Sequence, residues 1–278
     1  MRATVHIPDL AHLQACRGHL HHQAQQLPPA GARPVTLAGR VGGWITPAAQ
    51  NAVAGLPGVH IEPEAVHITA AARRSLAAVL EQLAHALNQA GLIRAWRNEL
   101  LDVVAEGQHL AQMERGAMRP LGLLTQSVHL NAWTPDGRLW VARRALDKST
   151  DPGLWDTLSG GLVAARETCA AALLRETHEE AGLPAAMLAG HSPLRTVLRM
   201  HRRLPEGYQV ENVLLADCVL PAAAVPVNQD GEVIEFRCLN MTDLQSFLGR
   251  GVFTLEAELC ILDSLQLRLH ADRVAQAS

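Results

Sequence analysis

The strongest periodicity in the chain lies between residues 76 and 87, where Leu76, Val79, Leu80, Leu83 and Leu87 recur at steps of three and four. That spacing predicts a helix with one apolar stripe turned to a core, capped by Thr69 and stopped at Gly91. Upstream, Asp9 after Pro8 is read as the cap of a first helix carrying Leu10, Leu13 and Leu20. Residues 35–46 and the short VHI segments at 59–61 and 66–68 read as strands. Residues 92–118 follow as a mixed segment, and a division near residue 115 is expected.

Beyond Pro120 the pattern changes to strand-like runs. LLTQSVHLNAW (123–133) and RLWVARR (138–144) flank Thr134-Pro135-Asp136-Gly137, a turn sequence, and together predict a β-hairpin. A loop rich in turn formers (145–161) then leads to a helix at about 167–181, ended by Gly182. Strands are expected at 194–201, 210–219 and 232–239, and closing helices at 241–249 and 255–269. The chain thus reads as α+β, with an accessory α+β region at 1–115 and a second domain at 116–278.

Composition narrows what this architecture serves. Of 278 residues, 48% are hydrophobic and 18% charged, which suits a folded protein and not a disordered one. The net charge of −3 supplies no global attraction for a nucleic-acid polymer or an anionic membrane, so any polyanion bound is expected to be small. Five cysteines, at 16, 169, 218, 238 and 260, form no C-x-x-C pair, which argues against a disulfide framework or a zinc site and for a reducing compartment. The N-terminus lacks the pattern of a secretory leader, and no apolar run is long enough to span a bilayer; a cytoplasmic protein is expected. His19, His21 and His22 lack a completing carboxylate, and Gly39-Arg-Val-Gly-Gly43 lacks the ending of a phosphate loop, so neither is read as a site.

The chemistry concentrates at 161–183, GLVAARETCAAALLRETHEEAGL. On a helix Glu176, Glu179 and Glu180 share one face, where like charges repel. Helix stability alone gives no reason to gather them there. A hard divalent ion such as Mg²⁺, which takes oxygen ligands and bridges carboxylates to substrate phosphates, does.

Gly161, Glu167, Arg175-Glu176, Glu179-Glu180 and Gly182 stand at the offsets of the Nudix box, which this segment resembles; Thr177 replaces the usual aliphatic residue. The resemblance implies a mixed sheet sandwiched between helices, preceded here by the smaller α+β region. It also implies hydrolysis of a small-molecule diphosphate with Mg²⁺, Mn²⁺ being a substitute. Glu176, Glu179 and Glu180 match metal-binding carboxylates, Gly160 or Gly161 a backbone ligand, and Arg175 and Glu167 supporting positions. A family general base comes from the box or from a later loop, which leaves Glu232 and Glu235 as candidates besides the three glutamates.

Around the box, Arg143, Arg144 and Lys148 are candidate phosphate ligands, and Trp155 a candidate wall for a flat organic group. Gln209, Glu211 and Asn212 are further pocket candidates. WRNELLDV (96–103), ERGAMRPLGLLTQSVHLNAW (114–133), the 139–161 segment and NQDGEVIEF (228–236) resemble the thiamine-pyrophosphokinase-related Nudix subgroup, which implies thiamine diphosphate or its oxidised forms as substrate and the monophosphate as product. An ADP-ribose or nucleotide-sugar pyrophosphatase, an isopentenyl-diphosphate isomerase-like enzyme and a non-catalytic ligand sensor are the alternatives. A homodimer is left open.

Overall fold

The computed structural model describes residues 10–277, so the Asp9 cap lies outside the described residues. Helix α1 spans Leu10–Gln23. Strands β1 (Arg33–Leu37) and β2 (Arg40–Ile45) form a hairpin, followed by α2 (Pro47–Val53), β3 (Val59–Ile61), β4 (Val66–Ile68) and α3 (Leu76–Gln89). The strands order β2-β1-β4-β3, with β1 and β4 parallel. Helix α3 buries the predicted stripe of Val79, Leu80, Leu83 and Leu87. Its cap differs from the prediction: Ser75, not Thr69, accepts the N–H of Ala78. Residues 71–74 close a tight turn with Arg73 in the left-handed region, and a turn there keeps the helix from reaching back to Thr69.

The mixed segment contains an unforeseen hairpin, β5 (Leu100–Ala105) and β6 (Gln108–Glu114). Its Glu106-Gly107 turn has both residues at positive φ, the conformation of a two-residue hairpin loop. Residues from 35 to 123 share one apolar core.

The second sheet is built from β7 (Leu124–Trp133), β8 (Leu139–Arg144), β9 (Trp155–Asp156), β10 (Ser159–Leu162), β11 (Arg195–Leu204), β12 (Gly207–Val219) and β13 (Val233–Leu239). Its main order is β11-β12-β7-β8-β13, and it is mixed because β7 and β12 run parallel. One edge of β7 is divided: its end pairs with β8, while residues 127–130 pair with β10.

Helix α4 (Cys169–Ala181) covers one face of this sheet; α5 (Met241–Phe247) and α6 (Leu255–Ala277) cover the other, where α1 also packs. Along β12, Val213 and Leu215 enter the α6 core, whereas Ala216 and Cys218 enter the α4 core. This two-sided burial makes a helix–sheet–helix sandwich. Helix α4 is capped by Thr168 and ended by Gly182 at φ 65°, matching the predicted stop.

Candidate functional site

A cavity of about 400 Å³ opens where β7, β10 and α4 meet the loops at 94–97 and 148–151. Its glutamate wall follows from helix periodicity: Glu176 and Glu179 line it, while Glu180 lies tucked behind the β10 loop. The Gly160 N–H donates to Glu180 Oε2 at 2.9 Å, tying helix to loop. Burial raises the Glu180 carboxyl, and the nearby Glu176 pushes the same way. Burial also raises Glu176, against the pull of Arg175. A side chain at Gly161 would run into the Glu176 carboxylate, so glycine is the residue that lets loop and helix approach here.

Arg175 holds this acidic face together. Its Nε and Nη2 donate to Glu167, and Nη1 donates to Glu176 at 2.8 Å and to Glu179 at 3.1 Å. Thr177, the departure from the box pattern, is fully buried, where its hydroxyl meets Ser159 Oγ at 2.8 Å and donates to the Leu173 carbonyl. A polar residue is thereby accommodated at an aliphatic position.

Of the cations expected around the box, the structure brings Arg144 and Lys148 to the cavity and leaves Arg143 off it. Trp155 is also off the cavity, buried against Phe247 and Phe253 in the α6 core. Register explains both. Arg143 pairs with Trp155 across β8 and β9, and Ala142 with Asp156; directly opposed residues share a sheet face, so Arg144 and Asp156 turn inward while Arg143 and Trp155 turn away. Arg144 Nη1 donates to Asp156 Oδ2 at 2.9 Å. Lys148 donates to Glu232 and stands 4.0 Å from Glu180. Glu232 lines the cavity; Glu235 instead accepts from Arg237.

Several cavity residues were not singled out from sequence. Thr125, Ser127 and His129 alternate along β7 into the cavity, a period-2 polar signal inside an apolar strand. His129 Nδ1 lies 3.1 Å from Thr157 Oγ1, and its ring packs under Gly160. At the far end Gln209 donates to Glu256, and Thr125 donates to Glu211, with Ser127 Oγ and Gln209 Oε1 unpartnered. Asn212, by contrast, accepts from Arg199 and does not line the cavity. Glu256 comes from α6, over 40 residues away in sequence, and nothing local marks it.

Sheet sandwich, glutamate helix and a cleft lined by charged side chains thus meet in one domain. Residues 125–254 match the model of the NUDIX domain, the family to which this part of the chain is similar. Among similar proteins are Nudix hydrolase 20, chloroplastic, of Arabidopsis thaliana, 31% identical over 186 residues, and Nudix hydrolase 24, chloroplastic, of the same plant, 33% identical over 187. Each match covers 64% of this chain and 49% and 50% of the respective relative, so the chain spans about half the length of these relatives. A crystal structure of a Deinococcus radiodurans protein aligns with TM-score 0.43 and 23% identity, over 56% of this chain and 92% of that one.

Proposed function

We propose that this chain hydrolyses a diphosphate linkage in a small molecule with a divalent cation, Mg²⁺ or Mn²⁺, held by Glu176, Glu179, Glu180 and the carbonyl of Gly160 or Gly161. The observation that carries the reading is the glutamate wall: buried Glu180 and half-buried Glu176, which repel each other, packed against a glycine loop at the edge of a cavity, with exposed Glu179 beside them. Among the described residues no group of three His, Cys, Asp or Glu side chains stands as a finished cage. The donor set nevertheless fits a hard cation that completes its shell with substrate oxygens, since every donor is oxygen. Such an ion would neutralise phosphate oxygens and lower the pKa of bound water.

The chain's own groups supply the rest. Arg175 orients the box carboxylates through charge-assisted hydrogen bonds, and Glu167 anchors Arg175. Arg144 and Lys148 bring positive charge to the cavity, while Arg143 and Trp155 are withdrawn from the set of substrate ligands because they face elsewhere. A glutamate of the box takes the proton from the attacking water, with Glu232 the alternative supplied by a later loop.

For the organic group we propose thiamine diphosphate or its oxidised forms, on the subgroup resemblance. The far end of the cavity supports it: Glu211, Glu256 and the unpartnered Gln209 Oε1 form an acceptor-rich surface suited to a cationic ring with an amino donor. All five cysteines are free and no helix among the described residues is long and apolar enough to cross a membrane; we place the protein in the cytoplasm on the cysteine usage. The test is phosphate release with Mg²⁺ from thiamine diphosphate, its oxidised analogues, ADP-ribose, NADH and dinucleoside polyphosphates. Selective release from the thiamine compounds is expected. Preference for ADP-ribose overturns the thiamine assignment, and no turnover above Glu179→Gln and Glu180→Gln variants overturns the hydrolase reading in favour of a sensor.

A further inference from the structure

We propose that Arg97 and Arg115, both outside residues 125–254, form an anion subsite for the substrate's diphosphate; this rests on the hydrolase reading above. The cations on the glutamate side of the cavity are already engaged: Arg144 by Asp156, Lys148 by Glu232, and Arg175 by the box carboxylates. Across the cavity Arg119 and Arg94 are held by Glu206, and Arg94 also by the Ser149 carbonyl. Arg97 is different. It lines the cavity, and among the described residues its guanidinium makes no hydrogen bond or ion pair. Arg115 lines it too, paired with Glu99 at 2.7 Å.

The pair is held in place by construction. The buried Glu114 carboxylate accepts the backbone N–H of Arg97 at 2.9 Å and of Gly116 at 3.3 Å through one oxygen, fastening the Arg97 loop to the Arg115 turn. A side chain on Gly116 would strike Ile93, so the two segments touch directly. Trp96 stacks on His85 at 4.8 Å and donates to Asn98, itself in the left-handed region. The sequence stretches WRNE and ERG, which carry no part of the box, thus meet as one braced surface opposite α4.

A free guanidinium needs no ion pair broken before it accepts a ligand, and its planar fork of donors matches phosphate oxygens. A diphosphate reaching from the box across the cavity would meet Arg97 and Arg115 on this wall. The carboxylates of Glu179 and Glu99 share this space, so an anion is held there only where the arginines outweigh them.

Calorimetric binding of methylenediphosphonate, which resists hydrolysis, to the full chain in Mg²⁺ tests the subsite. Arg97→Ala should weaken binding about tenfold, the scale of one charge-assisted hydrogen bond. Arg97→Lys should recover part of the loss, Arg115→Ala should weaken binding less, and the remote Arg273→Ala should bind as the unaltered chain does. With a hydrolysed substrate, Arg97→Ala should raise KM and leave kcat nearly unmoved. Equal binding by Arg97→Ala and the unaltered chain overturns the subsite, as does no binding by the unaltered chain. Failure to release phosphate from any diphosphate would instead sink the hydrolase reading, while the binding comparison still decides the subsite.

Discussion

Two walls face each other across the cavity, and they are made by different physics. On the α4 side, the acids at 176, 179 and 180 are neighbours because a helix repeats every 3.6 residues, and the sequence from Gly161 through Arg175 to Glu180 is one continuous local stretch. Opposite, Arg97 and Arg115 are brought together by the β5–β6 hairpin and a buried carboxylate. The first wall is local geometry and survives as long as the helix does. The second is tertiary and depends on the hairpin together with the Glu114 anchor.

The sharpest break in this comparison comes from the glutamate wall. Glu179→Gln and Glu180→Gln are each expected to cut kcat/KM by on the order of a hundredfold or more, the scale of about 2.7 kcal/mol in transition-state stabilisation. Thermal melting should hardly move, because each substitution removes like-charge repulsion while keeping the side chain's shape. A melting temperature that fell in step with activity would show these acids to be structural.

Glu114→Ala should break the other wall, and through stability. Two backbone N–H groups lose a buried charged acceptor, a cost of about 2–3 kcal/mol by denaturant unfolding. Diphosphonate binding should weaken as well, since the Arg97 loop and the Arg115 turn lose their common anchor. Unchanged unfolding would mean that water replaces the carboxylate and that the loop is held otherwise.

The same contrast governs what could be read from sequence. Helix α4, its Gly182 stop, and the β7–β8 hairpin are set by contacts close in the chain, and fixed offsets disclose them. The α3 cap was misplaced because Thr69 is as good a capping residue as Ser75, and only the turn at 71–74 decides between them. Arg143 and Arg144 look equivalent in a list of cations. Their opposite fates follow from strand alternation and from the register that sets Trp155 beside Arg143, which no local pattern specifies. Glu256 and Arg97 reach the cavity from two distant segments, and for these only the assembled fold is informative.

A smaller effect is expected at Thr177, inside the legible wall. Thr177→Val should cost about 1–2 kcal/mol, because the buried Ser159 hydroxyl then loses its partner and the helix–loop contact loosens. Double substitution with Ser159→Ala should recover much of that loss, since no polar group is left stranded. Additive losses in the double variant would show that the two hydroxyls act separately.

The finest test lies between the walls, at Asp151. It accepts both terminal nitrogens of Arg202 at 2.8 and 2.9 Å, and the charges of Arg144 and Arg119, one from each side of the cavity, also act on it. Despite burial, the hydrogen bonds from Arg202 leave its carboxyl below the ordinary value of 3.8. With a folded value lower than the unfolded one, its contribution is whole above about pH 4 and fades as the pH falls through the depressed value. Asp151→Asn should therefore flatten the acid limb of the stability curve below pH 4, with its largest deficit near neutrality, where the unaltered chain keeps the full ion pair. An acid limb of unchanged slope would mean that Asp151 is as easily protonated in the folded chain as in the unfolded one, and that the two walls are not joined through it.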